Sequence, residues 1–319
     1  MEARSLIPIM LVVLPLAGGY LARRFGGLSE RLAQGLMTAV MVLGYPAGGF
    51  LSIWGMEIQV QDLWLPALGA IHVAVMGAGG VLIGRAVAAE KADVGLLSIG
   101  SALGNTGFTM GGLVLYHLYG KGGLALMSIY CLMWMPVTVL LTYPIARHYA
   151  PHQPKRPLGR LILRSIFDWR SIGLPVSLAA IWLSVRGIMP PGAIARMRVV
   201  DILIFTVTIV AFFSIGLRLH LGNLGAIRKL IAAVTAARFG LGLLVGYALA
   251  AATLLTPWAL TGVARNVFLV ESFVPTAVTT VGVANMFGLK PREASGVFVI
   301  NTLMYLALVL PFVLWFFGR

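Results

Sequence analysis

Apolar runs long enough to cross a bilayer core of about 30 Å recur from one end of the chain to the other, and polar residues gather in the short gaps between them. The pattern predicts ten spans, near 5–22, 32–53, 64–86, 94–118, 122–147, 172–187, 198–217, 228–250, 259–287 and 293–316. Two of them are interrupted. The fourth contains Ser101–Gly112, SALGNTGFTMGG, where four glycines and small polar residues break an apolar segment. The ninth contains 270–288, VESFVPTAVTTVGVANMFG, which carries Glu271 and then Pro275 one turn later. Proline removes a backbone donor, and glycine weakens a helix. In lipid the freed carbonyls must find partners, so such breaks persist only against protein or a wet cavity. A carboxylate at that depth is costly unless it is paired or hydrated. Both features point to a ligand or ion site at two discontinuous helices. The plainer readings are a kinked helix with a snorkelling Glu271 and a glycine-rich packing face.

Composition agrees. Of 319 residues 59% are apolar and only 11% charged, which excludes an ordinary soluble domain and points to a polytopic membrane protein without a soluble appendage. The start of the chain reads as a first span rather than a signal peptide. The net charge of +14 lies in short loops, so it speaks for topology and anionic-lipid contact, not for nucleic acid. With the N-terminus outside, 16 of the 24 basic residues fall on the cytoplasmic side and 7 outside, leaving Arg238 within a span. Both termini are then extracytoplasmic. Cys131, the single cysteine, excludes an internal disulfide and reads as a packing residue. There is no nucleotide-binding loop, catalytic triad pattern or HExxH motif, so no enzyme and no cofactor is expected. The other histidines show no metal-ligand spacing.

The longest loop divides the chain into 1–148, a basic segment at 149–171 and 172–319. Within it Arg156, Arg160 and Arg164 oppose Leu161, Ile162 and Ile166, which suits an interfacial helix, or simply a basic linker. Five spans on each side give the halves opposite orientations. The fold expected is therefore all-α, a 5+5 inverted repeat in which spans four and nine are discontinuous and cross near the midplane. His72 and Arg238 fall at matching depths of spans three and eight, and Glu271 is the partner expected for Arg238. His72 reads equally as a satisfied core histidine. Gly80–Gly84 and Gly242–Gly246 fit GxxxG, a motif common by chance in a glycine-rich chain. Ser128 and Thr138 offer oxygens, although lone hydroxyls in spans usually bond their own helix.

The ten-span pattern, GNTGF at 104–108, SIGLRL at 214–219 and ESFVPTAVTTVGVANMFGL at 271–289 resemble the auxin efflux carrier family, which includes bacterial organic-acid permeases. The related bile acid:sodium symporters typically carry Gln four residues after the ninth-span Glu. Pro275 stands there in this chain. The resemblance implies a scaffold of spans 1, 2, 6 and 7, often the surface of a homodimer, and a core of spans 3–5 and 8–10 that moves against it. It implies a secondary transporter of the inner membrane whose substrate is a small organic acid. Asn105, Thr106, Gly107, Pro275 and Thr276 would line the crossover, with Arg238 supplying positive charge. Glu271 would carry the coupling proton or cation, with His72 and Ser128 as accessories. A sodium site at Glu271, Asn105 and Ser128 stays open, and so do a sodium-coupled symporter and a passive channel.

Overall fold

The computed structural model describes residues 3–88, 90–151, 157, 159, 160, 162, 163, 167, 169–219 and 224–318. Of the expected interfacial helix, residues 159, 160, 162 and 163 are described and helical, and Arg156, Leu161, Arg164 and Ile166 fall outside the described residues, with much of the basic loop. Among the described residues the protein is all-helical, with one isolated backbone bridge between Gly104 and Thr276. Seven helical stretches are long and apolar enough to cross a membrane: Ile7–Gly26, Arg31–Ile53, Val60–Val87, Gly111–Tyr149, Val199–Leu217, Arg228–Leu255 and Pro291–Phe317. Two shorter apolar helices, Gly173–Val185 and Val278–Phe287, accompany them. The spans expected at 94–118 and 122–147 meet at Gly120, whose φ of 59° and ψ of −145° turn the chain within the Gly111–Tyr149 stretch. That backbone conformation is open essentially to glycine alone.

Prolines inside the spans leave a common imprint. Val40–Gly44, Thr138–Thr142 and Tyr305–Val309 are wide helical turns with i to i+5 bonding, and each ends two residues before a proline, Pro46, Pro144 or Pro311. A helical proline cannot donate, and its ring crowds the carbonyl of the preceding turn. Widening that turn moves the carbonyl aside without ending the helix.

Two groups of helices form the body. In the first, helix Ala3–Gly26 lies along Val199–Leu217 and helix Gly173–Val185 along Tyr45–Ile53. The first pair is close because Gly19 and Gly216 face the partner backbone, where a Cβ would collide with Phe213 or Leu16. The second pair is tied where the Ser184 hydroxyl donates to the Ile53 carbonyl at 2.9 Å and accepts from the Gly55 amide at 3.0 Å.

In the second group, helix Trp64–Val87 packs on Lys91–Ala102, and Gly242–Ala252 packs on Gly262–Ser272. Here both GxxxG pairs are in use. A Cβ on Gly80 would come within 2.7 Å of Ser98 Cα, and one on Gly84 within 3.0 Å of Val94 Cα. A Cβ on Gly242 would come within 2.6 Å of the Ser272 carbonyl, and Gly246 faces the Ser272 side chain. The reading of these motifs as chance is therefore corrected: each lets one helix lie against the backbone of an interrupted neighbour. At one end of this group Lys290 Nζ reaches Asp93 at 2.7 Å and Glu90 at 3.1 Å. That cluster ties the turn before helix Pro291–Met304 to the start of Lys91–Ala102.

Candidate functional site

Helix Lys91–Ala102 and helix Gly262–Ser272 both stop in the interior, and their broken ends meet. Pro275 biases Val274 away from helical geometry, and Gly104 and Gly107 leave 103–107 free to turn, with φ at Gly107 of 83°. Residues 103–105 and 275–277 then run antiparallel. Asn105 N donates to the Pro275 carbonyl at 2.6 Å, and Ala277 N donates to the Leu103 carbonyl at 2.8 Å. The Thr276 amide donates to Asn301 Oδ1 at 2.7 Å, and its hydroxyl donates to the Gly100 carbonyl. Past the breaks the chain resumes as helices Gly111–Tyr130 and Val278–Phe287. Each break thus leaves a carbonyl end on one side and an amide end on the other.

Arg238 occupies the carbonyl side. Its side chain is 1% exposed and lies in a wide turn, Ala236–Leu241. Nε and Nη2 donate to the Val274 carbonyl at 2.9 and 2.7 Å, and Nη1 donates to the Ser101 carbonyl at 2.9 Å. The expected ion pair with Glu271 does not form. The guanidinium is taken up by carbonyls freed at the two breaks, where a positive charge also meets the negative ends of two half-helices.

Glu271 is fully buried, and neither carboxyl oxygen has a side-chain partner within hydrogen-bonding distance. It rests against Gly111, so close that a Cβ there would collide with it. Glu271, Arg238, His72, Thr106 and Tyr130 line a cavity of about 20 Å³, room for about one water. His72 Nε2 lies 3.3 Å from the Gly242 carbonyl, and the ring packs edge-on to Phe268, so it is satisfied as a core residue.

A larger cavity of about 190 Å³ lies on the other side of the 103–107 strand. Asn105, Thr106, Gly107 and Ser128 line it, together with Thr279, Tyr45, Phe108, Cys131 and the methionines Met37, Met41, Met127 and Met135. Asn105 Oδ1 accepts from the Thr109 hydroxyl at 2.6 Å, which leaves Asn105 Nδ2 unpaired. The Thr106 and Thr279 hydroxyls are also buried and unpaired. Ser128 donates to its own helix, to Leu124 at 2.8 Å. Pro275, Thr276 and Arg238 do not line this cavity, and Glu271 does not share it with Ser128. The three oxygens considered for sodium are therefore split between two cavities.

Sequence reading missed Thr279 as a wall residue and Asn301 as the bracket of the break, which also donates from Nδ2 to Thr235 at 3.1 Å. The Thr run at 276–280 and an Asn inside an apolar span were the available signals.

These features, a bundle of long apolar helices around two opposed breaks, are those of a multi-pass membrane protein. Residues 4–157 match the family model described as membrane transport protein, and this match, over just under half the chain, supports the auxin efflux carrier family expected from the motifs. A search of curated proteins returned no match.

Proposed function

We propose that the protein is a bacterial inner-membrane secondary transporter for a small organic anion, and that it works without sodium. The observation that carries this reading is the larger cavity. It presents three unpaired polar groups, Asn105 Nδ2, Thr106 Oγ1 and Thr279 Oγ1, beside the amide ends of the two resumed helices. Donors and helix N-termini favour an anionic group, while Tyr45, Phe108 and the methionines suit an apolar body. A cavity of about 150 Å³ takes benzene, so about 190 Å³ suits a monocarboxylate of modest size and not a steroid conjugate.

The ten-span reading counts the interrupted helices at 91–119 and 262–287 and the shorter Gly173–Val185 as spans, and divides Gly111–Tyr149 at Gly120. The inverted repeat is supported by features that recur in both halves. GxxxG helices pack on interrupted helices, and wide turns precede prolines in the fifth and tenth spans. With the N-terminus outside, the larger cavity runs from the breaks toward Met37, Ser171 and Gly173 near the cytoplasmic ends of their spans. Alternating access would then come from the core, spans 3–5 and 8–10, moving against a scaffold that also forms a dimer.

Sodium independence follows from Arg238. In transporters with broken helices the carbonyl ends are where a coupling cation is held, and here a guanidinium already fills that role. Glu271 favours a second reading, because a buried carboxyl with no side-chain partner calls for a proton or a cation. A proton is assigned rather than a metal cation, because the cavity beside Glu271 has room for about one water and the positive end of helix Gly111–Tyr130 would repel a second cation there.

The test is a thermal-shift panel on detergent-purified protein. Small monocarboxylates, indole acids and steroid conjugates would each be offered in sodium and in potassium. Stabilisation by a small carboxylate that is equal in both salts is expected. A ligand at about 100 times its Kd adds about 2.7 kcal/mol, which is readable. Stabilisation that requires sodium would replace this reading with a sodium-coupled symporter.

A further inference from the structure

The face of helix Val199–Leu217 that carries Asp201, Phe205 and Thr208 grips the first interrupted helix at two levels. At the break, the Thr208 hydroxyl donates to the Phe108 carbonyl at 3.2 Å. The Phe108 ring stacks on Tyr45 at 5.4 Å and 16°, over Gly48, where a Cβ would come within 2.6 Å of it. Two turns along Val199–Leu217, the Tyr116 hydroxyl donates to Asp201 and its ring meets Phe205 edge-on at 5.9 Å. Asp201 is held in turn by Arg198 Nε at 2.5 Å. Positions 201, 205 and 208 follow i, i+4, i+7 spacing, so all three contacts share one face.

The segment they hold is fastened differently on its other side. Tyr119, three residues beyond Tyr116, accepts from Asn266 Nδ2 at 3.0 Å and donates to the Phe317 carbonyl at 3.0 Å. Residues 108–119 are therefore bound to one group of helices through Tyr119 and to the other through Phe108 and Tyr116. Of these, the Phe108 ring also lines the larger cavity, at the level of Tyr45 and Gly48.

We propose that this face is an outer lock: it holds 108–116 while the substrate cavity faces the cytoplasm, and it must release that segment before the cavity can open outward. The inference rests on the sidedness and alternating access proposed above. Asp201 is the holding acceptor, Arg198 orients it, and Phe108 is the plug. The Tyr116–Asp201 bond runs to a carboxyl that Arg198 also holds, which makes it the most firmly anchored contact of the set.

Cys131 supplies a built-in reporter, because it is the single cysteine and lines the larger cavity. A membrane-impermeant methanethiosulfonate would be applied to intact cells and to inverted vesicles. In the unaltered protein, labelling of Cys131 is expected from the cytoplasmic side and only slowly from outside. Tyr116→Phe and Asp201→Asn should each raise the outer labelling rate about tenfold, the effect of about 1.4 kcal/mol. A converse test covers the case in which these variants fold poorly. On a Cys131→Ser background, Tyr116→Cys with Asp201→Cys and a short bis-methanethiosulfonate linker, which loses sulfinate as each disulfide forms, should stop transport, and a reducing thiol should restore it. Equal labelling from both sides of the unaltered protein would overturn the sidedness itself. Sided labelling left unchanged by Tyr116→Phe and Asp201→Asn, or transport unaffected by the linker, would overturn the lock and leave the carrier reading intact.

Discussion

Arg238 and Glu271 are both fully buried near the breaks, yet only Arg238 has its hydrogen bonds made. Removing the guanidinium strands two carbonyls in the interior, each of which was bonded to a charged donor worth about 1.5–3 kcal/mol. Arg238→Ala should therefore lower the Tm in detergent sharply, with transport lost in step with folded protein. Glu271→Gln has the opposite profile. It removes a costly unpaired carboxyl, so the Tm should hold or rise, while coupled transport disappears and the pH dependence of substrate binding with it. Normal, pH-dependent uptake by Glu271→Gln would remove this residue from the mechanism. The sequence showed both residues as mid-span charges, and it suggested that they pair. It could not show otherwise, because the acceptors for Arg238 are backbone carbonyls, which every residue carries and which become available only once Val274 and Ser101 sit at broken ends.

Among elements, glycine positions separate into those that make contact and those that do not. Gly80 lets Trp64–Val87 approach the backbone of Lys91–Ala102, so Gly80→Ala should cost about 1–3 kcal/mol through overpacking. Gly282 lies within helix Val278–Phe287 with open space at its Cα, so Gly282→Ala should be neutral or stabilising by about 0.5–1 kcal/mol. Thermal unfolding of the two variants side by side checks the contrast. The GxxxG spacing was plain in the sequence, but its use was not, since the motif alone does not say which neighbour comes near. The interrupted helices were legible because Pro275 and the glycines at 104 and 107 break helices by covalent structure. The wide turns before Pro46, Pro144 and Pro311 were not, since a proline fixes the conflict and leaves the form of relief open. The Lys290 cluster adds a pH argument at its own end of the bundle. Burial pulls the Lys290 ammonium down, but the hydrogen bonds and charges of Asp93 and Glu90 outweigh this and hold it above the usual lysine range. A raised value gives a contribution that is complete below the unfolded lysine value and fades only as pH climbs through the folded one. Lys290→Met should thus destabilise the fold equally at mildly acidic and mildly alkaline pH, by about 1 kcal/mol or less for a partly exposed ion pair, read as equal falls in Tm.

At the scale of the molecule, the packing of Ala3–Gly26 on Val199–Leu217 and of Trp64–Val87 on Lys91–Ala102 gives two groups that touch mainly through the 108–116 segment and the cavity walls. A permanently bonded guanidinium at the breaks has an electrical consequence for that arrangement. Arg238 cannot stay behind when its helices move, because it is fastened to both of them. In the proposed cycle, once Glu271 has released its proton, the empty moving group carries Arg238 and an ionised Glu271, whose charges cancel. Loading a monoanion leaves one net negative charge to be carried through the field, and adding a proton at Glu271 restores neutrality. A full elementary charge crossing the membrane is worth about 2.3 kcal/mol per 100 mV, so loaded transit without the proton would be strongly voltage-dependent and transit with it would not. In Glu271→Gln the loaded group is neutral and the empty one keeps the uncancelled charge of Arg238, so any uncoupled uptake that remains into vesicles clamped at different potentials should depend on voltage through the return of the empty group, unlike the unaltered carrier.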